Sequence, residues 1–147
     1  MRLAPVVQKG YRERPMLLSR DRPPDDLRYV RSVTEGGFVI GAERHTGSLL
    51  VGARGVGPWP CDFARDPPEW ARDALLSLEG ELLIVGTGAR LHFLPHPLHL
   101  SLLERFAGVE VMTTVAACRT YDVLAMEGRR VVAALARLEP HSGLHGG

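Results

Sequence analysis

The chain has 147 residues, 45% hydrophobic and 24% charged, with 18 basic against 17 acidic side chains and a net charge of +1. That length fits one domain with a buried core. Near-neutrality excludes the broad attraction on which non-specific binding to nucleic acid or to an anionic membrane depends.

All basic residues except Lys9 are arginines, offset by the acids, which reads as compositional bias rather than a phosphate-binding design. No run of about 18 apolar residues is present, so no membrane span is expected. The N-terminus has no continuous apolar stretch of the kind a secretory signal needs. Cys61 and Cys118 do not make a disulfide framework. Both are expected to be reduced, in a cytoplasmic compartment, with Cys118 buried in a helix.

Residues 1–26 lack periodicity and are broken by Pro15 and Pro23-Pro24, which predicts a flexible N-terminal arm in which Pro5-Val6-Val7 is a candidate edge strand. A single α/β domain is expected over residues 27–138. Leu27 to Val33 alternates imperfectly and predicts a strand. Gly36-Gly37 is a turn, and Phe38-Val39-Ile40 a second strand. Glu43 to Gly47 has the composition of a hairpin loop. Ser48 to Val51 then completes an antiparallel meander. Gly52 to Pro68 reads as a long loop, with Trp59 plugging the core edge. Asp66 is placed to N-cap a helix on which Trp70, Ala74, Leu75 and Leu78 share a face, and Gly80 ends it.

Leu82 to Val85 is apolar throughout, as in a strand covered on both faces. After Gly86-Thr87-Gly88 the chain is extended to His96. Pro97 opens a helix with Leu98, Leu102, Leu103 and Phe106 as its apolar stripe, and Gly108 stops it. Val109 to Met112 is the next strand, closing a right-handed parallel βαβ unit. Thr113 or Thr114 caps a last helix bearing Ala117, Tyr121 and Leu124 on one face. Val131 to Leu135 is the final strand, and residues 139–147 are expected to be a disordered tail. The reading is α/β: an N-terminal meander, a βαβ unit and a C-terminal helix and strand.

Candidate chemistry gathers at two places. Gly86-Thr87-Gly88 leaves a buried strand, but lacks both the Gly-Lys-Ser/Thr of a phosphate loop and the third glycine of a dinucleotide fingerprint. It is either a tight turn or a ligand cradle. Thr113, Thr114, Arg119 and Thr120 lie around the start of the last helix, whose free N–H groups favour anions. Arg119 either reinforces such a pocket or pairs with Asp122 along the helix.

His92, His96 and His99 are not read as a metal set, because Pro95 and Pro97 break the register that i, i+4 ligation needs. His141 and His145 stand in the tail. Ser48 and Ser101 lack a nucleophile elbow. Cys118 reads as a structural thiol and Glu127 as a surface charge. No catalytic set, cofactor or metal is expected.

Several stretches recur in a known order: Gly37-Phe38-Val39-Ile40-Gly41, Gly47-Ser48-Leu49-Leu50-Val51, Trp59-Pro60 and Leu83-Ile84-Val85-Gly86-Thr87-Gly88. Gly108 to Met112, Thr114 to Leu124, Glu127-Gly128-Arg129 and Val131 to Leu135 follow. From Leu27 to Leu135 the chain resembles a small α/β family. That family includes a mitochondrial respiratory complex I assembly factor, a mammalian adipogenesis-associated protein and many uncharacterised bacterial and archaeal proteins. The resemblance implies a three-layer domain with a mixed central sheet and no established catalytic residue. Its recurrent polar positions are here Gly86, Thr87, Gly88, Arg119, Thr120 and Tyr121. Asp122 stands where the family more often has asparagine, a charge that weakens an anion site.

Two functions are therefore expected. One is a non-enzymatic binding or assembly protein whose partner is a respiratory complex subunit or another assembly factor. The alternative is a small-molecule or anion-binding protein, or an enzyme of unknown reaction, using Gly86, Thr87, Gly88, Thr114, Arg119, Thr120 and Tyr121.

Overall fold

The computed structural model describes residues 29–59 and 67–138. Three strands, β1 (Val30–Thr34), β2 (Gly37–Ile40) and β3 (Glu43–Thr46), form an antiparallel sheet in that order. A five-stranded mixed sheet contains β4 (Leu49–Gly52), β5 (Gly55–Pro58), β6 (Leu82–Gly86), β7 (Gly108–Met112) and β8 (Val131–Leu135) in the order β5-β4-β8-β6-β7. Three helices lie among the described residues: α1 (Glu69–Leu76), α2 (His96–Arg105) and α3 (Thr114–Met126).

The last of the described strands in sequence is the middle strand in space. β8 runs antiparallel to β4 and parallel to β6, with Ala133 opposite Val51 on one side and Ile84 on the other. All of its residues are buried, as its unbroken apolar sequence requires. Its alternation sorts the core into two halves. Val132 and Ala134 join Leu50, Leu83, Val85, Leu98 and Leu102 beneath α1 and α2. Val131, Ala133 and Leu135 join Leu49, Val51, Ile84, Ala117 and Tyr121 under α3, together with Val30, Phe38 and Ile40 of the small sheet. The layers are thus α1 and α2, the mixed sheet, and α3 with the meander.

The βαβ unit stands as expected, β6 pairing parallel with β7 across α2. Pro97 lies in the first turn of α2, where its missing N–H breaks no bond. Leu98 and Leu102 are fully covered, whereas Leu103 of the expected stripe is half exposed. Arg105, at the end of α2, donates to the carbonyls of Leu76 and Leu78 and lies over the Phe106 ring. It satisfies carbonyls that the end of α1 leaves unpaired.

Five local expectations are corrected. Glu43 to Thr46 is strand β3, paired with β2, rather than a loop. Its residues are mostly exposed, so no apolar alternation marks them. Ser48 to Val51 does not complete the meander, since β4 joins the large sheet. Gly55 to Pro58 is the edge strand β5, its two glycines and proline being tolerable at an edge. Helix α1 closes at Ser77, whose hydroxyl donates to Ala74 O at 2.9 Å, before Gly80 is reached. Trp59 is fully buried and meets Trp70 edge-to-face at 6.3 Å. The N-cap position of α1 is held by Pro68, without a side-chain capping hydrogen bond, and not by Asp66 as expected. The expectations for the N-terminal arm, Cys61 and the tail lie outside the described residues.

Candidate functional site

The two candidate segments meet. β6 ends at Gly86, and α3 starts at Thr114 directly against it. A Cβ on Gly86 would stand 2.9 Å from Thr114 Cα and 3.0 Å from Ala117 Cβ, so only glycine lets the helix tip come this close. Gly88 has φ of +103°, which turns its backbone back toward the helix.

There its N–H donates to Thr114 Oγ1 at 2.8 Å, and its carbonyl accepts from the Thr114 N–H at 2.9 Å. Thr114 Oγ1 also donates to Ala136 O at 2.6 Å, just beyond β8. Thr114 is fully buried. One hydroxyl thus ties three segments together. Thr113 is the residue before the helix, but its side chain makes no capping hydrogen bond.

Thr87 is also turned inward. Its N–H donates to Met112 O at 2.9 Å, its hydroxyl donates to Arg90 O at 2.8 Å, and the same oxygen accepts from the His92 N–H at 3.1 Å. The amides of Thr87 and Gly88 therefore have partners within the chain.

The remaining candidates diverge from this junction. Arg119 is exposed. Five residues into the helix it lies about 140° around the axis from Thr114, which points it elsewhere. Thr120 donates to Met112 Sδ at 3.4 Å. Tyr121 is buried in the core beneath α3. The structure brings Gly86, Thr87, Gly88 and Thr114 together and leaves Arg119, Thr120 and Tyr121 in three different surroundings.

Asp122 has a different partner from the expected Arg119. Its Oδ1 accepts from the Val30 N–H at 2.8 Å, joining α3 to the first strand of the meander. Burial pushes its carboxyl up to about 6, against the opposing pull of that hydrogen bond. Burial, and then the nearby Asp122 charge, push the Cys118 thiol up to about 12. Such a thiol stays protonated and unreactive. Tyr29 is raised by the same two causes in the same order. Sequence spacing gave no sign of this seam, because its members are about ninety residues apart.

Among the described residues no group of three or more His, Cys, Asp or Glu could hold a metal ion, and no helix is long and apolar enough to cross a membrane.

Residues 30–136 match the model of a family described as protein of unknown function (DUF498/DUF598). The chain belongs to that family. It is 35% identical over 138 residues to NADH dehydrogenase [ubiquinone] 1 alpha subcomplex assembly factor 3 of Bos taurus, covering 91% of this chain and 73% of that protein. An uncharacterized protein of Rhodobacter capsulatus is 39% identical over 104 residues, covering 68% of this chain and 77% of its own. Among solved structures, a Bordetella pertussis protein described as an Mth938-like domain superposes with a TM-score of 0.66 at 28% identity, covering 90% of this chain and 99% of that one. The mixed architecture is thus that of its solved relatives, and relatives of this chain are named as assembly factors of the NADH dehydrogenase [ubiquinone] 1 alpha subcomplex.

Proposed function

We propose that this chain is a non-enzymatic assembly protein that binds a subunit of a respiratory NADH dehydrogenase, or a fellow assembly factor, while that complex is built. The observation that carries this reading is the bovine assembly factor's likeness over 91% of the chain. The local chemistry favours it over capture of a small ligand. The amides of Thr87 and Gly88 and the hydroxyl of Thr114 are bonded within the chain, so a ligand would have to displace those bonds. A protein partner needs none of them. Its affinity comes from a few well-packed apolar anchors, and Phe93, Val123 and Met126 are exposed.

The test is a deletion strain assayed for mature NADH dehydrogenase on native gels. Loss of mature complex, accumulation of partial assemblies and rescue by the intact gene are expected. A normal amount of complex in the deletion strain would overturn the reading.

A further inference from the structure

We infer that the loop between β6 and α2 is a preformed docking knob, with Phe93 as its anchor and the exposed Arg90 three residues before it, for a protein surface that offers an apolar pocket edged by carboxylates. This rests on the protein-binding reading above and adds the place and chemistry of contact. Phe93 is 84% exposed and Leu91 49% exposed, so a whole aromatic side chain stands in water. Its loop is nevertheless fixed on both sides. Before it, the buried Thr87 hydroxyl holds Arg90 O at 2.8 Å and the His92 N–H at 3.1 Å. After it, Leu94 is buried with Leu98 in the core that α2 covers. An aromatic ring displayed by a braced loop loses little conformational freedom when a pocket closes on it, the condition under which aromatic anchors dominate binding.

Charge points to the kind of pocket. From Gly88 to Leu103 the one formally charged side chain is Arg90, and the first acidic residue after it is Glu104. Arg90 is exposed and has no ion-pair partner among the described residues. The complementary surface is acidic around an apolar centre. A bilayer suits this loop less well, because one ring and one half-covered leucine give far less apolar area than stable membrane attachment needs.

The test places the photo-crosslinker p-benzoylphenylalanine at position 93 of the full chain in its native cells, and in parallel at position 123, where Val123 is 54% exposed on α3. The inference expects light-dependent crosslinking from position 93 to one protein, at a peptide that lines an apolar pocket containing Asp or Glu. Arg90→Glu should reduce the yield at least tenfold, while Phe93→Ala and Arg90→Glu leave the melting temperature unchanged. Absence of a crosslink, crosslinks to lipid or to a second copy of this chain, or a yield indifferent to Arg90→Glu would overturn it. If position 123 captures NADH dehydrogenase subunits and position 93 captures nothing, the docking knob falls and the assembly role stands. If position 93 meets such a pocket on an unrelated protein, the knob stands and the assembly role falls.

Discussion

Thr114 and Gly88 hold each other through two reciprocal hydrogen bonds of 2.8 and 2.9 Å, one through a side chain and one through the backbone. The junction lies where β6 ends and α3 begins, the rim at which open α/β sheets usually hold ligands. Here that rim is closed by the chain's own groups.

Removing the Thr114 hydroxyl strands two buried partners, the Gly88 N–H and the Ala136 carbonyl. Thr114→Val should therefore destabilise the fold by about 2–6 kcal/mol, since each unsatisfied buried group costs about 1–3 kcal/mol. Thr114→Ser keeps the hydroxyl and loses one methyl, for about 1 kcal/mol. Urea denaturation of the pair checks this. Equal losses would mean that packing rather than hydrogen bonding secures the helix tip.

Gly86→Ala meets backbone. Its new Cβ would lie 2.9 Å from Thr114 Cα, which cannot rotate away. The helix must move off the sheet, at about 1–3 kcal/mol for an overpacked contact. A neutral result by denaturation would show that α3 is seated more loosely than its geometry indicates.

Asp122 gives a pH signature. Its carboxyl titrates at about 6 in the folded chain against an ordinary value of 3.8, so the folded state holds its proton more tightly than the unfolded state does. Stability contributed at this residue therefore falls as pH rises through that window and is flat above it. Asp122→Asn keeps an oxygen for the Val30 N–H and removes the charge. It should melt higher than the native chain at about pH 7.5, with the difference shrinking toward about pH 4. Thermal melts of both proteins across that range decide it. A difference independent of pH would show that the carboxyl titrates normally.

Arg119→Ala should change stability by no more than about 0.5 kcal/mol, the usual effect of a surface substitution away from special contacts. Arg119 is exposed, and the nearby Asp122 carboxylate bonds to Val30 instead. A larger loss in urea denaturation would expose a buried network that includes Arg119.

The parts of the fold legible in the sequence were those with local causes. Leu82 to Gly86, the proline-led helix α2 and Val109 to Met112 announce a βαβ unit by apolar runs bounded by Pro and Gly. The strands β3 and β5 were hidden because one is polar and exposed and the other is rich in Gly and Pro. The central place of β8 depends on pairing with β4, some eighty residues earlier, and no local pattern encodes that. The same holds at the site. Both the glycine turn and the threonine start of α3 were visible at strand ends. That Thr114 reaches Ala136 follows only once β8 lies beside β6. Helical periodicity alone separates Arg119 from Thr114, a point that sequence proximity obscures.

The assembly role is tested most directly by the amount of mature NADH dehydrogenase in cells that lack this chain. A depleted complex is expected, with partial assemblies accumulating, restored by the wild-type protein and also by the Arg119→Ala variant. An undiminished complex in the deletion strain would contradict it.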